Sequence, residues 1–157
     1  MVEFNNIWLS SIDHLNTFIE LTKSKDKKLI KKSYISKVRI MFDQVPVVFY
    51  SKGNLSINEH EIIFTSLQPK RGLLKEYINL NNDLHIKIEF DQIEEITRYR
   101  HSSPFIEYYN TEWIQIKYIK NTISEDILIS QGGYGPSMKK IKEGTDEIYN
   151  ELKSNTL

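Results

Sequence analysis

Leu84-His85-Ile86-Lys87-Ile88-Glu89-Phe90 is the stretch that decides the fold. In an extended chain Leu84, Ile86, Ile88 and Phe90 face one way and His85, Lys87 and Glu89 the other, the period-two pattern of a strand with one buried face and one wet face. Asp91-Gln92 interrupts it, and residues 93–99 resume extended structure. Upstream, Val38, Ile40 and Phe42 alternate with Lys37, Arg39 and Met41, and residues 47–50 are a second β-rich run. Lys52-Gly53-Asn54 reads as a turn or bulge. Leu55 and Ile57, then residues 62–66, flank the polar residues 58–61 as a hairpin would. Pro69 and Gly72 mark a loop carrying Lys70 and Arg71, and residues 77–80 read as a short strand. Downstream, residues 105–109 and 113–119 flank Asn110-Thr111-Glu112 as a second hairpin, and residues 126–130 form the last strand.

Helices are expected at both ends. Ser10 and Asp13 have the S-x-x-D spacing of a helix start, where hydroxyl and carboxylate satisfy free backbone N–H groups. Ile12, Leu15, Phe18 and Ile19 then give an apolar face that fades in the lysine-rich residues 23–32 and resumes at Leu29 and Ile30. One helix to about residue 32 and two short ones both fit. Near the other end, Met138, Ile141, Thr145, Ile148 and Leu152 follow at spacings of three and four, with Tyr149 widening the stripe. Pro136 suits a first helical turn. Gly144 inside this helix costs about 1 kcal/mol relative to alanine, so packing has to hold it. A single apolar stripe needs a partner, and a curved sheet supplies one.

The chain has 157 residues, 39% of them apolar and 27% charged, which fits one globular domain with a sizeable core. It has no cysteine, which excludes disulfides, thiolate metal sites and cysteine nucleophiles and fits a reducing, cytosolic setting. Alanine is absent as well, a codon bias of AT-rich genomes that lowers the weight of any lysine count. The start lacks the basic and long apolar stretches of an export signal, and no apolar run approaches the roughly 20 residues that span a bilayer. Twenty-one basic residues balance 21 acidic ones, which argues against a nucleic-acid partner. The balance is uneven along the chain: residues 1–42 hold eight basic and four acidic side chains, the remainder 13 and 17.

Gly53-Asn54-Leu55-Ser56-Ile57 followed by Glu61-Ile62-Ile63-Phe64-Thr65-Ser66 resembles the opening hairpin of pleckstrin-homology-like domains, the GRAM and bacterial variants in particular. Ile88-Glu89-Phe90-Asp91-Gln92-Ile93-Glu94-Glu95-Ile96 is similar to a strand of that family that ends in hydrophobic, Asp, x, Ile, x, x, Ile. The resemblance covers residues 45–153. It implies a mainly β, strongly bent antiparallel barrel capped by the C-terminal amphipathic helix, with residues 1–34 as a helical extension and residues 35–157 as the domain. It further implies a non-enzymatic adaptor. Lipid-binding members place Lys and Arg around the first hairpin. Here that turn carries Glu59 and Glu61, which repel phosphate, so no phosphoinositide site is carried over.

Motifs for chemistry stay incomplete. His60-Glu61 lacks the second histidine of a zinc helix, and His14, His60, His85 and His101 are scattered. Gly132-Gly133-Tyr134-Gly135 completes neither phosphate-binding fingerprint and reads as a tight strand-to-helix turn. Glu89, Asp91, Glu94 and Glu95 have no partner nucleophile for acid–base work, and His101 beside Ser102-Ser103 makes no triad. Tyr99, Phe105, Tyr108, Tyr109, Trp113 and Tyr118, with Arg98 and Arg100, fit cross-strand packing better than base stacking. Two binding surfaces remain. Met138, Ile141 and Tyr149 outline a groove for a protein partner or a second copy of the chain, alongside an exposed strand edge. Lys27, Lys28, Lys31 and Lys32, with Lys70 and Arg71, offer contacts to an anionic membrane or other anion. Interaction with a protein is the expected function and peripheral membrane attachment its alternative. No catalytic residue, metal site or cofactor is expected.

Overall fold

The computed structural model describes residues 1–23, 49–67, 83–100, 112–132 and 138–156. Its strands are β1 (Val2–Ser10), β2 (Ser51–Ile57), β3 (Glu61–Ser66), β4 (His85–Glu89), β5 (Ile93–Arg100), β6 (Glu112–Lys120) and β7 (Ile123–Gln131). They form one seven-stranded antiparallel sheet in the order β4-β3-β2-β1-β7-β6-β5. Helix α1 (Ile12–Lys23) follows β1, helix α2 (Met138–Thr156) ends the chain, and a 3-10 turn at Phe90–Gln92 joins β4 to β5.

That short turn determines the shape of the sheet. β4 and β5 are its two edges, six strand steps apart, and at about 4.8 Å per step a flat sheet would hold them about 29 Å apart. The three residues between them reach no farther than about 15 Å. The sheet is therefore bent back on itself. Two irregularities assist. Between Phe4 and Ile7 one extra residue of β1 slips in against β2, and between Ile93 and Glu95 one extra residue of β5 slips in against β6. Each bulge shifts the alternation by one, so Phe4 and Ile7 both face inward, as do Ile93 and Ile96. Asn6 takes up the first bulge at φ 57°, a conformation asparagine tolerates.

The inner face carries the core: Ile7 and Leu9, Leu55 and Ile57, Ile62 and Phe64, Ile88, Ile96, Ile114 and Ile116, Ile127 and Ile129. Ile148 and Leu152 of α2 complete it as the helix lies on β7 and β6. The stripe expected for this helix is in place, since Ile141, Thr145, Ile148 and Leu152 are all buried. Gly144 is held as its position demands. A Cβ there would stand 2.7 Å from Gln131 Cγ, and the neighbouring Thr145 hydroxyl accepts the Gln131 backbone N–H at 3.1 Å. The helix is thus seated on the end of β7.

The centre of the sheet is buried on its outer face too. Trp8, Trp113 and Leu128 alternate with inner-face residues and are still covered. Phe49 stacks on Trp8 with ring centroids 4.2 Å apart, and Leu15 of α1 is buried.

Several expectations are corrected here. The division at residue 34 does not describe the sheet, because β1 lies at its centre between β2 and β7. The N-terminal helix, described as far as Lys23, starts one residue later than expected, with the Ser11 hydroxyl accepting the His14 N–H at 3.1 Å, whereas Ser10 ends β1. Gly53 is inside β2 and not in a turn. The hairpin expected to open the sheet is its second and third strands. The strands read at residues 38–42, 77–80 and 105–109 lie outside the described residues, as do Leu29 and Ile30; β6 pairs instead with β5 and β7.

Tyr118 titrates abnormally in this core. Burial, and the hydrogen bond its hydroxyl donates to Glu125 at 3.1 Å, push it up to about 12. The unfolded chain releases this proton near pH 10 and the folded chain later, so the stabilisation is complete below about pH 10 and lost as pH approaches 12. Tyr118→Phe has no such proton, and urea melts across this range are expected to show a flatter pH profile for the variant than for the wild type.

Candidate functional site

The antiparallel order sorts the chain's connections by end. β1, β3 and β6 run one way and the other four strands the opposite way. The connections that follow β1, β3 and β6 therefore leave and re-enter the sheet at one end. The first, residues 11–50, holds eight basic and four acidic side chains; the second, residues 67–84, holds three and two. The third is the two-residue turn Asn121-Thr122 with Lys120 before it. At the other end, residues 58–60, 101–111 and 132–137 carry only Glu59 and Glu107 as formal charges; Asp91 sits in the β4–β5 link, which passes from that end to the start of β5 beside Tyr118. The chain is neutral overall and charged unevenly between its ends.

Of the residues singled out for anion contact, Lys27, Lys28, Lys31 and Lys32 belong to the first of these connections and Lys70 and Arg71 to the second; all six lie outside the described residues. What the fold contributes is that both segments depart from the same end of the sheet.

The β6–β7 hairpin is fully described there. Asn121 and Thr122 have φ of 51° and 66°, the sign pattern of a tight type I′ turn. A β-branched residue is rare in that conformation. Ile119 and Ile123 flank the turn at 42% and 62% exposure. In the register Ile119 faces Ser124 and Lys120 faces Ile123, so the two isoleucines project from opposite faces of the hairpin. β7 pairs with β1 only from Leu128 onward, and the five residues before it carry the tip about 16 Å past the last paired residue of β1. The sequence places Ile119 at the end of a strand and Ile123 in none; the pair Asn121-Thr122 between two apolar runs is the available signal.

The groove proposed for a protein partner is altered. Ile141 is 1% exposed and faces the core, which removes it from any docking surface. Met138 is the first residue of α2. Tyr149 is partly buried beneath Arg98, whose guanidinium carbon stands 4.7 Å from the ring centroid, and Lys153 approaches the same ring at 5.7 Å. Arg98 also pairs with Asp146, so an ion pair and a cation–π contact join β5 to α2 where the groove was expected.

The acidic residues are dispersed among structural tasks. Glu89 and Gln92 form a capping box around the 3-10 turn, Glu94 accepts the Ser124 hydroxyl at 2.8 Å, and Glu95 pairs with Lys117 at 3.1 Å. Glu59, His60, Glu61, Glu89, Phe90 and Asp91 line a shallow cleft of about 430 Å³. Glu61 is held below the ordinary carboxylate range, chiefly by its hydrogen bond with Lys87 at 2.7 Å. Among the described residues no group of three or more His, Asp or Glu is arranged to hold a metal. His14 meets Tyr50 edge-on at 5.5 Å and His85 bonds the Thr65 hydroxyl at 3.2 Å. Gly132 gives its N–H to the Asn6 carbonyl at 2.7 Å, so that donor does not serve an anion. Trp113 and Tyr118 are buried, Tyr99 is half-buried on β5, and Arg100 pairs with Glu112. Phe105, Tyr108, Tyr109 and His101 lie outside the described residues.

No helix among the described residues is long and apolar enough to cross a membrane. Comparison of the sequence with protein-family models finds no match, and comparison with curated proteins finds none either.

Proposed function

We propose that this chain is a pleckstrin-homology-like module that attaches peripherally to anionic membrane through the end of the sheet from which its basic connections leave. The observation that carries the reading is the shared exit. Two segments with eleven basic and six acidic side chains between them, and the lysine-flanked β6–β7 tip, depart from one end, while the opposite connections carry no lysine or arginine. Lysines near an anionic surface contribute about 1 kcal/mol each. The strand order, the close link between the two edges and the helix seated on the inner face support closure into a barrel of that family. With β1 at residues 2–10, the first hairpin of such a barrel is β1–β2. Its connection is then the lysine-rich one, and not the Glu59–Glu61 turn that argued against a phosphoinositide site.

Sedimentation of the full chain with phosphatidylserine-containing and with purely zwitterionic vesicles tests this. Binding is expected to the first only and to weaken several-fold as salt rises from 50 to about 200 mM. Equal binding to both vesicle types, or to neither, would refute it. Protein interaction along the open edge of β5, beside Arg98 and Tyr149, is the second reading; the edge position of β5 favours it.

A further inference from the structure

Building on attachment of this end to an anionic bilayer, we propose that the β6–β7 tip is a wedge whose Ile119 and Ile123 side chains enter the hydrocarbon of that bilayer. Exposure is the first ground. Both large aliphatic side chains face solvent in the folded chain, Ile123 at 62%, where a soluble turn would carry polar residues. Arrangement is the second. The two project from opposite faces of the hairpin, so each face of the tip presents one large aliphatic side chain. A protein docking onto one face would need only one of them, whereas insertion into hydrocarbon surrounds the tip and covers both. Charge is the third. Residues 119–123 include a lysine and no carboxylate. Lys120 stands across the ladder from Ile123, where its stem can lie along the apolar surface and its ammonium reach the headgroups. The nearest carboxylates are Glu94, which accepts the Ser124 hydroxyl across the ladder from Ile119, and Glu125, which accepts the Tyr118 hydroxyl one step below. They mark the depth at which insertion stops.

The basic connections and the wedge respond differently to salt, because ions screen lysine–lipid attraction and leave apolar transfer intact. Full-length Ile119→Ser/Ile123→Ser is compared with wild type for sedimentation with phosphatidylserine-containing vesicles at low and at high salt. The wild type is expected to keep residual binding at high salt, and the double variant to lose about tenfold or more of it. Its urea midpoint is expected to stay unchanged, since both side chains are exposed. If the variant binds as well as wild type at both salts, the wedge is wrong and the attachment stands. If wild type binds no vesicle at any salt, the attachment falls and the wedge with it. If the substitutions instead abolish self-association of the chain in the absence of lipid, the tip is a contact between copies and the wedge is refuted.

Discussion

Gly53→Ala is expected to destabilise the protein by about 3 kcal/mol, at the upper end of what overpacking costs. A Cβ at this position would stand 2.0 Å from the Thr65 carbonyl oxygen, 2.7 Å from its carbon and 2.8 Å from Ser66 Cα. All three are backbone atoms of β3, so no side chain can swing aside. Relief requires β2 and β3 to separate where Gly53 pairs with Ser66, beside the buried Leu55–Phe64 pair. That loss is a large fraction of the roughly 5–15 kcal/mol that holds a domain of this size together. Urea or guanidinium melts followed by circular dichroism measure it. An unchanged midpoint would mean that the strands do not approach this closely. Glycine inside a strand commonly marks such a close approach.

Trp8→Ala is expected to cost about 3–5 kcal/mol. Trp8 is 1% exposed on the outer face of β1, the strand that joins the two halves of the sheet. Its indole stacks on Phe49 with the rings 20° apart. Truncation removes that stack and leaves a cavity beside Gly132, whose position lies within 3 Å of the indole for any added Cβ. Trp8→Phe keeps an aromatic partner for Phe49 and is expected to cost less than half as much. The same melts separate the two variants. If Trp8→Ala melts like wild type, the outer face is not a second packed layer.

Much of the strand content was legible because β4 and the β2–β3 hairpin alternate cleanly, and β5 and β6 are rich in β-branched and aromatic residues. The central strand was not, for two reasons of the same origin. The extra residue at Asn5-Asn6 breaks the alternation of β1, and residues 7–10 are buried on both faces, so no polar phase remains to be seen. A pair of asparagines before Ile7 reads as a loop, yet one of them is the residue the bulge needs at positive φ. Gly53 misled similarly: a sequence shows that glycine is present, and only the approach of Thr65 shows why. For α2, Gly144 signalled a packing constraint correctly, and Gln131 is the residue that imposes it. Of the candidate site, the lysines were visible and their common exit was not, since it depends on strand direction and pairing order. With β1 unread, the Glu59–Glu61 turn stands as the first hairpin; that reading excludes a phosphoinositide site and leaves attachment to anionic membrane as the alternative.

Because the chain lacks cysteine, single substitutions give unique labelling points. The most direct measurement attaches a polarity-sensitive fluorophore at Asn121→Cys, on the β6–β7 turn, or at Glu59→Cys, on the exposed β2–β3 turn of the opposite end, and records each spectrum with and without phosphatidylserine-containing vesicles. The account predicts a blue shift and shielding from aqueous quencher at position 121 and no change at position 59. Shielding at position 59, or no change at either while the protein co-sediments with vesicles, would contradict it.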